Sequence, residues 1–224
     1  MPTLATTTAG NMDLTRIAAR LEQASAPEIV EWAIETFGRR ISLTASMADT
    51  ILIDIATKID PDIEVVFLDT GFHFAETLQT LRRAQARYGL NVRVERPKPH
   101  ANDLYAVGTD SCCAVRKVAL LDRALADKAA WLTGLRRAES PSRANTPIVG
   151  LDSRGLVKVC PLATWSDEDA DRYIVEHDII VNPLQYEGYP SIGCWPCTDR
   201  VVDGADPRSG RWAGSGKTEC GLHL

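Results

Sequence analysis

The sequence predicts an α/β protein built on a doubly wound, mostly parallel sheet. Three observations carry this expectation. Short apolar stretches of strand character alternate with longer stretches whose apolar residues recur at helical spacing. Two of the strands end in polar turns, Thr44-Ala-Ser-Met-Ala-Asp-Thr and Leu68-Asp-Thr-Gly, each leading directly into a helical pattern. Such alternation favours a parallel sheet, whose ligands lie beyond the carboxyl ends of the strands, where both turns sit.

In chain order, residues 12–38 carry apolar positions at helical spacing: Leu14, Ile17, Ala18 and Leu21, then Ile29, Val30, Trp32, Ala33 and Phe37. Ser25-Ala-Pro breaks the pattern and restarts it, so two helices lead in, within a segment spanning 1–39. Arg40-Ile-Ser-Leu-Thr opens the first strand, and after its turn Ile51, Leu52, Ile55 and Ile59 mark a helix. The second unit repeats the plan, with strand Ile63–Leu68, a helix from Phe74 to Tyr88 and strand Asn91–Glu95. Pro97-Lys-Pro-His opens a loop and short helix to Gly108. Ser111-Cys-Cys-Ala-Val-Arg-Lys starts a further helix through Leu120, Leu121 and Leu125. Ala129-Ala-Trp-Leu-Thr-Gly is a strand and turn, followed by a polar loop from Arg136 to Asn145. Residues 156–164, with Cys160 inside, form a last strand, and Ser166-Asp-Glu-Asp caps a helix ending near His177. The body thus runs over 40–200, and 201–224 is a Gly-rich, helix-poor tail expected to be mobile, all within a single domain.

The length of 224 residues, with 45% apolar and 25% charged side chains, is that of an ordinary globule able to bury a substantial core. A net charge of −5 gives nothing to attract nucleic acid or an anionic membrane, so any anion site must be local. Met1–Gly10 has no basic n-region or apolar segment, and no apolar run approaches the roughly 20 residues a membrane span needs, which predicts a cytoplasmic protein. In that reducing compartment the six cysteines read as metal ligands or catalytic thiols before they read as disulfides. Oligomeric state is left open.

Cys112-Cys113 and the loop Cys194-Trp-Pro-Cys197 together suggest one metal site, because vicinal thiols bond each other only through a strained ring. Zinc and an iron–sulfur cluster both remain open. Adjacent cysteines favour the cluster, whose separate irons spare them from converging on one tetrahedral ion. The helix N-terminus near Cys112, with Arg116 and Lys117, favours thiolate over thiol. Cys220 lies in a segment with Gly214, Gly216 and Gly221, suited to closing over a site and withdrawing, and His223 and Lys217 are candidates to stabilise its thiolate. The two polar turns suit a nucleotide, and Arg136, Arg137, Arg143, Arg208 and Arg211 suit its anionic end.

The combination of Cys-Cys-Ala-Val-Arg-Lys, Thr-Gly-Leu-Arg-Arg, Gly-Cys-Trp-Pro-Cys-Thr, Arg-Ser-Gly-Arg-Trp and Glu-Cys-Gly-Leu-His-Leu resembles the assimilatory sulfonucleotide reductases. Within them it is most similar to the adenylyl-sulfate (APS) reductases that carry a [4Fe–4S] cluster. The resemblance implies an adenine-nucleotide α-hydrolase-like fold, with one cluster per chain held by Cys112, Cys113, Cys194 and Cys197. It also implies that Cys220 is the nucleophile, forming an S-sulfonate that thioredoxin or a similar dithiol protein reduces to sulfite. Thr44 and Ser46 fall on the family's nucleotide-binding serines, and Leu68, Thr70, Thr133 and Gly134 complete the adenosine pocket. Lys117, Arg143, Arg208, Arg211 and His223 match positions around the phosphosulfate. The family's first turn commonly holds a glycine and one residue more than Thr44–Asp49. The alternatives are 3′-phosphoadenylyl sulfate (PAPS) as substrate, or a zinc- or cluster-containing binding protein or pyrophosphatase-like tRNA-modifying enzyme, which has no need of Glu-Cys-Gly-Leu-His.

Overall fold

Six strands in the order β3-β2-β1-β4-β6-β5 form the frame: β1 (Ile41–Thr44), β2 (Glu64–Leu68), β3 (Asn91–Glu95), β4 (Ala130–Thr133), β5 (Val149–Leu151) and β6 (Val157–Val159). The computed structural model describes residues 12–98, 106 and 108–222. All neighbouring strands are parallel except β5, which returns antiparallel on β6. The chain lays down β1, β2 and β3 in one direction and then places β4 on the other side of β1, so strand order reverses between β1 and β4. Open α/β sheets bind ligands at the carboxyl ends of such a reversal. Register sets Thr44 beside Thr133 and Thr44 beside Val66, so the ends of three strands reach one edge together.

Helices α1 (Leu14–Leu21), α2 (Ala26–Phe37), α3 (Ile51–Ile59), α4 (Ala75–Tyr88) and α7 (Asp167–Glu176) cover the sheet together with α5 (Thr109–Cys113) and α6 (Ala119–Ala124). Strand alternation divides the buried side chains between the two faces. Ile41, Leu43, Val65, Phe67, Ala130 and Leu132 share the main core with Ile29 and Ala33 of α2, Ile51 and Ile55 of α3 and Leu81 and Ala84 of α4. Trp131, fully buried, points the other way and packs with Leu121 and Leu125 beneath α6. Ser25 and Ser166 cap α2 and α7 with reciprocal bonds to Glu28 and Asp169, each cap contributing about 1 kcal/mol.

Three expectations need correction. The strand read over 156–164 is confined to Val157–Val159, and Cys160 follows it, its N–H donating to Ile148 O at 2.8 Å. The hairpin partner β5 went unread because three residues after Thr146-Pro147, with Gly150 inside, carry little strand character. The cysteine-bearing helix begins at Thr109 rather than Ser111 and is not continuously α-helical, since Ala114–Val118 forms a π-helical turn with Ala119 N–H donating to Ala114 O. Of the loop and short helix placed between Pro97 and Gly108, residues 99–105 and 107 lie outside the described residues.

Candidate functional site

A cavity of about 270 Å³ opens at the β1/β4 reversal. Its walls include Thr44 and Ser46 after β1, Leu68 and Thr70 after β2, and Thr133 and Gly134 after β4. These are the six residues expected around an adenosine. The first turn does without a glycine by placing Met47 in the left-handed region, at φ 61°, with its side chain fully buried. That backbone costs on the order of 1–2 kcal/mol for a residue with a Cβ. Burial of the thioether and a hydrogen bond from Asn182 Nδ2 to Met47 O at 3.1 Å offset it. Asn182 is itself fully buried, with a second bond from Nδ2 to Thr77 Oγ1 at 3.1 Å and one to Oδ1 from Leu184 N–H at 3.2 Å.

Lys117, Arg143, Arg208 and Arg211 line the same cavity, and so does Cys220. The Arg143 guanidinium is disfavoured by burial, yet the carboxylates of Glu219 and Glu139 hold it above the ordinary arginine range. Arg211 is the opposite case, its guanidinium held below the ordinary arginine range by burial first and by Arg208 second. Its Nη1 donates to Ser191 Oγ at 3.2 Å and Ile192 O at 3.3 Å, while Nε is buried without a hydrogen-bond partner. Gly193 makes room for it, since a Cβ there would stand 2.2 Å from Arg211 Nη2. Gly210 serves a second close approach, to Asp199 O, where a Cβ would stand at 2.2 Å.

The four remaining candidate thiols meet behind this wall. The Cys194–Cys197 loop is pinned to the turn after β2: Trp195 N–H donates to Phe72 O at 2.8 Å, His73 bridges Cys194, and Thr70 Oγ1 lies 3.3 Å from Cys194 Sγ. Cys112 and Cys113 of α5 complete a narrow cleft with Cys194, Cys197, Lys117 and Trp212. Lys117 therefore touches both the thiol cleft and the larger cavity. Burial, then the neighbouring thiols, push Cys112 and Cys197 up, and burial pushes Cys113 up against the pull of Lys117 and Lys217. Among the described residues no disulfide forms, and no three His, Cys, Asp or Glu side chains stand close enough, as placed, to hold one metal ion. Four free thiols from two segments, gathered in one mostly buried cleft beside a lysine, form a thiolate donor set of the kind that zinc or an iron–sulfur cluster takes.

The remaining sequence candidates separate. Arg136 pairs with Asp167 at 2.7 Å and Arg137 with Glu22, so neither serves the cavity. Lys217 turns to Asp110, 2.6 Å away, and toward Cys113 rather than to Cys220. His223 lies outside the described residues. Sequence reading missed Asn182, which supports the first turn from behind, and Glu219, which lines the cavity. Asn182 had only the Asn-Pro turn signal, and Glu219 was visible only as a letter in the motif around Cys220.

The sequence profile described as phosphoadenosine phosphosulfate reductase domain matches residues 40–200. The chain belongs to the phosphoadenosine phosphosulfate reductase family. Among this family's members, the adenosine 5′-phosphosulfate reductase of Rhodococcus opacus is 48% identical over 234 residues, covering 94% of this chain and 95% of its own. That of Mycolicibacterium smegmatis is 49% identical over 218 residues, covering 93% and 92%. The crystal structure of phosphoadenylyl-sulfate reductase from Candida auris is similar at a TM-score of 0.74 and 26% identity, over 84% of this chain and 96% of that one. FMN adenylyltransferase from Candida glabrata, at a TM-score of 0.55 and 14% identity over 87% of this chain and 76% of that one, shares the fold alone. The adenine-nucleotide α-hydrolase-like architecture expected from the sequence is thus the one found.

Cys160 offers a contrast to the cavity thiol. It is fully buried, and burial pushes its thiol up to about 11. A raised pKa keeps the neutral thiol dominant below that pH, and only the thiolate reacts. Iodoacetamide at pH 8 should therefore leave Cys160 unmodified in the folded protein while the half-buried Cys220 is labelled, with peptide mass spectrometry as the readout.

Proposed function

We propose that this chain is an APS reductase: it reduces adenylyl sulfate to sulfite and AMP, the reduction step of sulfate assimilation. One juxtaposition carries the reading. Cys220 lines one cavity together with Arg143, Arg208, Arg211 and Lys117 and with the strand-end residues Thr44, Ser46, Thr70 and Thr133. Relatives sharing nearly half of its residues along almost the whole chain are named adenosine 5′-phosphosulfate reductases.

In the first step the Cys220 thiolate attacks the sulfur of the phosphosulfate group. An S–S bond forms, the bond between sulfur and the bridging oxygen breaks, and AMP leaves with that electron pair. Arg143, Arg208, Arg211 and Lys117 stabilise the negative charge gathering on phosphate and sulfonate oxygens, the kind of preorganised contact typically worth about 2.7–4 kcal/mol for one donor. In the second step a thiolate of thioredoxin or a similar dithiol protein attacks Cys220 Sγ and expels sulfite, and the partner's second thiol resolves the mixed disulfide. The dithiol supplies both electrons, and Cys220 returns as a thiol. Leu68, Thr70, Thr133 and Gly134 hold the adenosine, with Thr44 and Ser46 supplying hydroxyls at the first turn. His223 is assigned to the phosphosulfate by resemblance. For the partner to reach Cys220, the tail must withdraw after the first step.

Cys112, Cys113, Cys194 and Cys197 are the residues that would hold one [4Fe–4S] cluster. When bound, it supplies local electrostatic tuning of the anion site. Among the described residues no helix is long and apolar enough to cross a membrane. The dithiol-dependent step suits the cytoplasm, where such reductants are kept reduced.

Two outcomes test the reading. Cys220→Ser should abolish sulfite release with dithiol while APS binding, followed by calorimetry, persists, because serine cannot form the S–S bond to the sulfonate. Turnover by Cys220→Ser, or sulfite release from PAPS with equal efficiency, would overturn it. Anaerobically purified protein should be brown with about four irons and four sulfides per chain, and Cys194→Ser should lose the colour. One zinc per chain with no visible absorption would remove the cluster and leave the nucleotide chemistry to be judged separately.

A further inference from the structure

The tail carries a carboxylate into the place where the substrate's anion is expected. Glu219 precedes Cys220, and Arg143 donates to both of its oxygens, from Nε to Oε1 at 2.8 Å and from Nη2 to Oε2 at 2.9 Å. Arg208 Nη2 stands 3.3 Å from the same Oε1. These side chains are largely enclosed, 13% exposed for each arginine and 14% for Glu219. This two-toothed grip is the one a guanidinium offers to a sulfate or phosphate. The rest of the tail is tied down on either side. Arg208 Nη2 donates to Thr218 O at 2.9 Å, Lys217 Nζ bonds Asp110 Oδ1 at 2.6 Å, and Leu222 packs on the cluster of Leu121, Leu125 and Trp131.

We infer that Glu219 is a displaceable stand-in for the substrate's anion. Before substrate arrives, its carboxylate holds Arg143 and Arg208 and draws Cys220 into the cavity. The phosphosulfate group gains those arginines only by releasing Glu219. The inference rests on the reading of Arg143 and Arg208 as substrate residues. Its physical basis is charge balance. Arg143, Arg208 and Arg211 face one small volume, and gathering three guanidiniums away from water is costly without a counter-anion. Glu139 pairs with Arg143 from the same loop, but Arg208 draws its carboxylate from Glu219. A carboxylate and a phosphosulfate cannot share one enclosed fork without strong repulsion, so substrate binding and the resting position of the tail are linked. Affinity measured for substrate is then reduced by the fraction of protein in which the fork is already filled. The same exchange loosens the segment that carries the nucleophile at the moment its target arrives.

The test uses Glu219→Gln in the cluster-loaded protein, which keeps the side chain's shape and removes its charge. Without ligand, alkylation of Cys220, followed on its own peptide by mass spectrometry, should become severalfold faster than in the wild type. In a Cys220→Ser background, where APS is not consumed, adding Glu219→Gln should tighten APS binding by about fivefold or more. Unchanged alkylation together with unchanged or weaker APS binding would overturn the inference and make Glu219 a fixed positioning partner of Arg143. If neither background binds APS, the functional reading fails, and the alkylation rate alone then decides whether the carboxylate holds the tail.

Discussion

Strand order reverses between β1 and β4, and the crevice this leaves at the carboxyl edge is the constraint on which the rest of the site depends. Parallel strands side by side deliver Thr44, Leu68 and Thr133 to one rim, because register fixes their ends relative to each other. Everything else is arranged around that rim. The turn after β2 receives the Cys194–Cys197 loop through backbone bonds, and the helix start at Thr109–Cys113 brings the second thiol pair to the same cleft. The tail closes the far side. A shift of one residue in β1 or β4 would send Thr44 or Thr133 to the opposite face of the sheet and dissolve the pocket.

Several unusual local features cluster at this edge. Met47 occupies left-handed backbone and is held by Asn182. Arg211 is buried where its charge is disfavoured, and Gly193 lets two loops meet around it. The helix bearing the cysteine pair widens to a π-helical turn at Ala114–Val118, the stretch that carries Lys117 to its place between the thiols and the cavity. Turns of this kind recur at functional sites because they re-aim one side chain without ending the helix. The core beneath is ordinary by comparison, with alternating strand residues buried on both faces.

Much of this was legible in the sequence because the signals are local. Periodicity gave the helices, the apolar stretches gave five of the six strands, and the Ser25 and Ser166 caps gave helix starts. The cysteine spacing and the motif around Cys220 marked the residues that line the two cavities. What could not be read depends on distant partners. Arg136 and Arg137 look in sequence like Arg143, and only the positions of Asp167 and Glu22 remove them from the site. Lys217 is likewise decided by Asp110, and Asn182 by the backbone it supports. β5 exists because β6 offers it an edge, not because its three residues favour a strand.

In the proposed reaction Cys220 and the arginine-lined cavity act together on one sulfur atom. The most direct test is to mix the wild-type protein with APS in the absence of any reductant and follow both products. Release of about one AMP per chain is expected, with a sulfonate on the peptide containing Cys220, because the first step transfers the sulfonate stoichiometrically and the S-sulfonate then waits for a dithiol to expel sulfite and return the free enzyme. No AMP burst, or a sulfonate on Cys160 in place of Cys220, would contradict it.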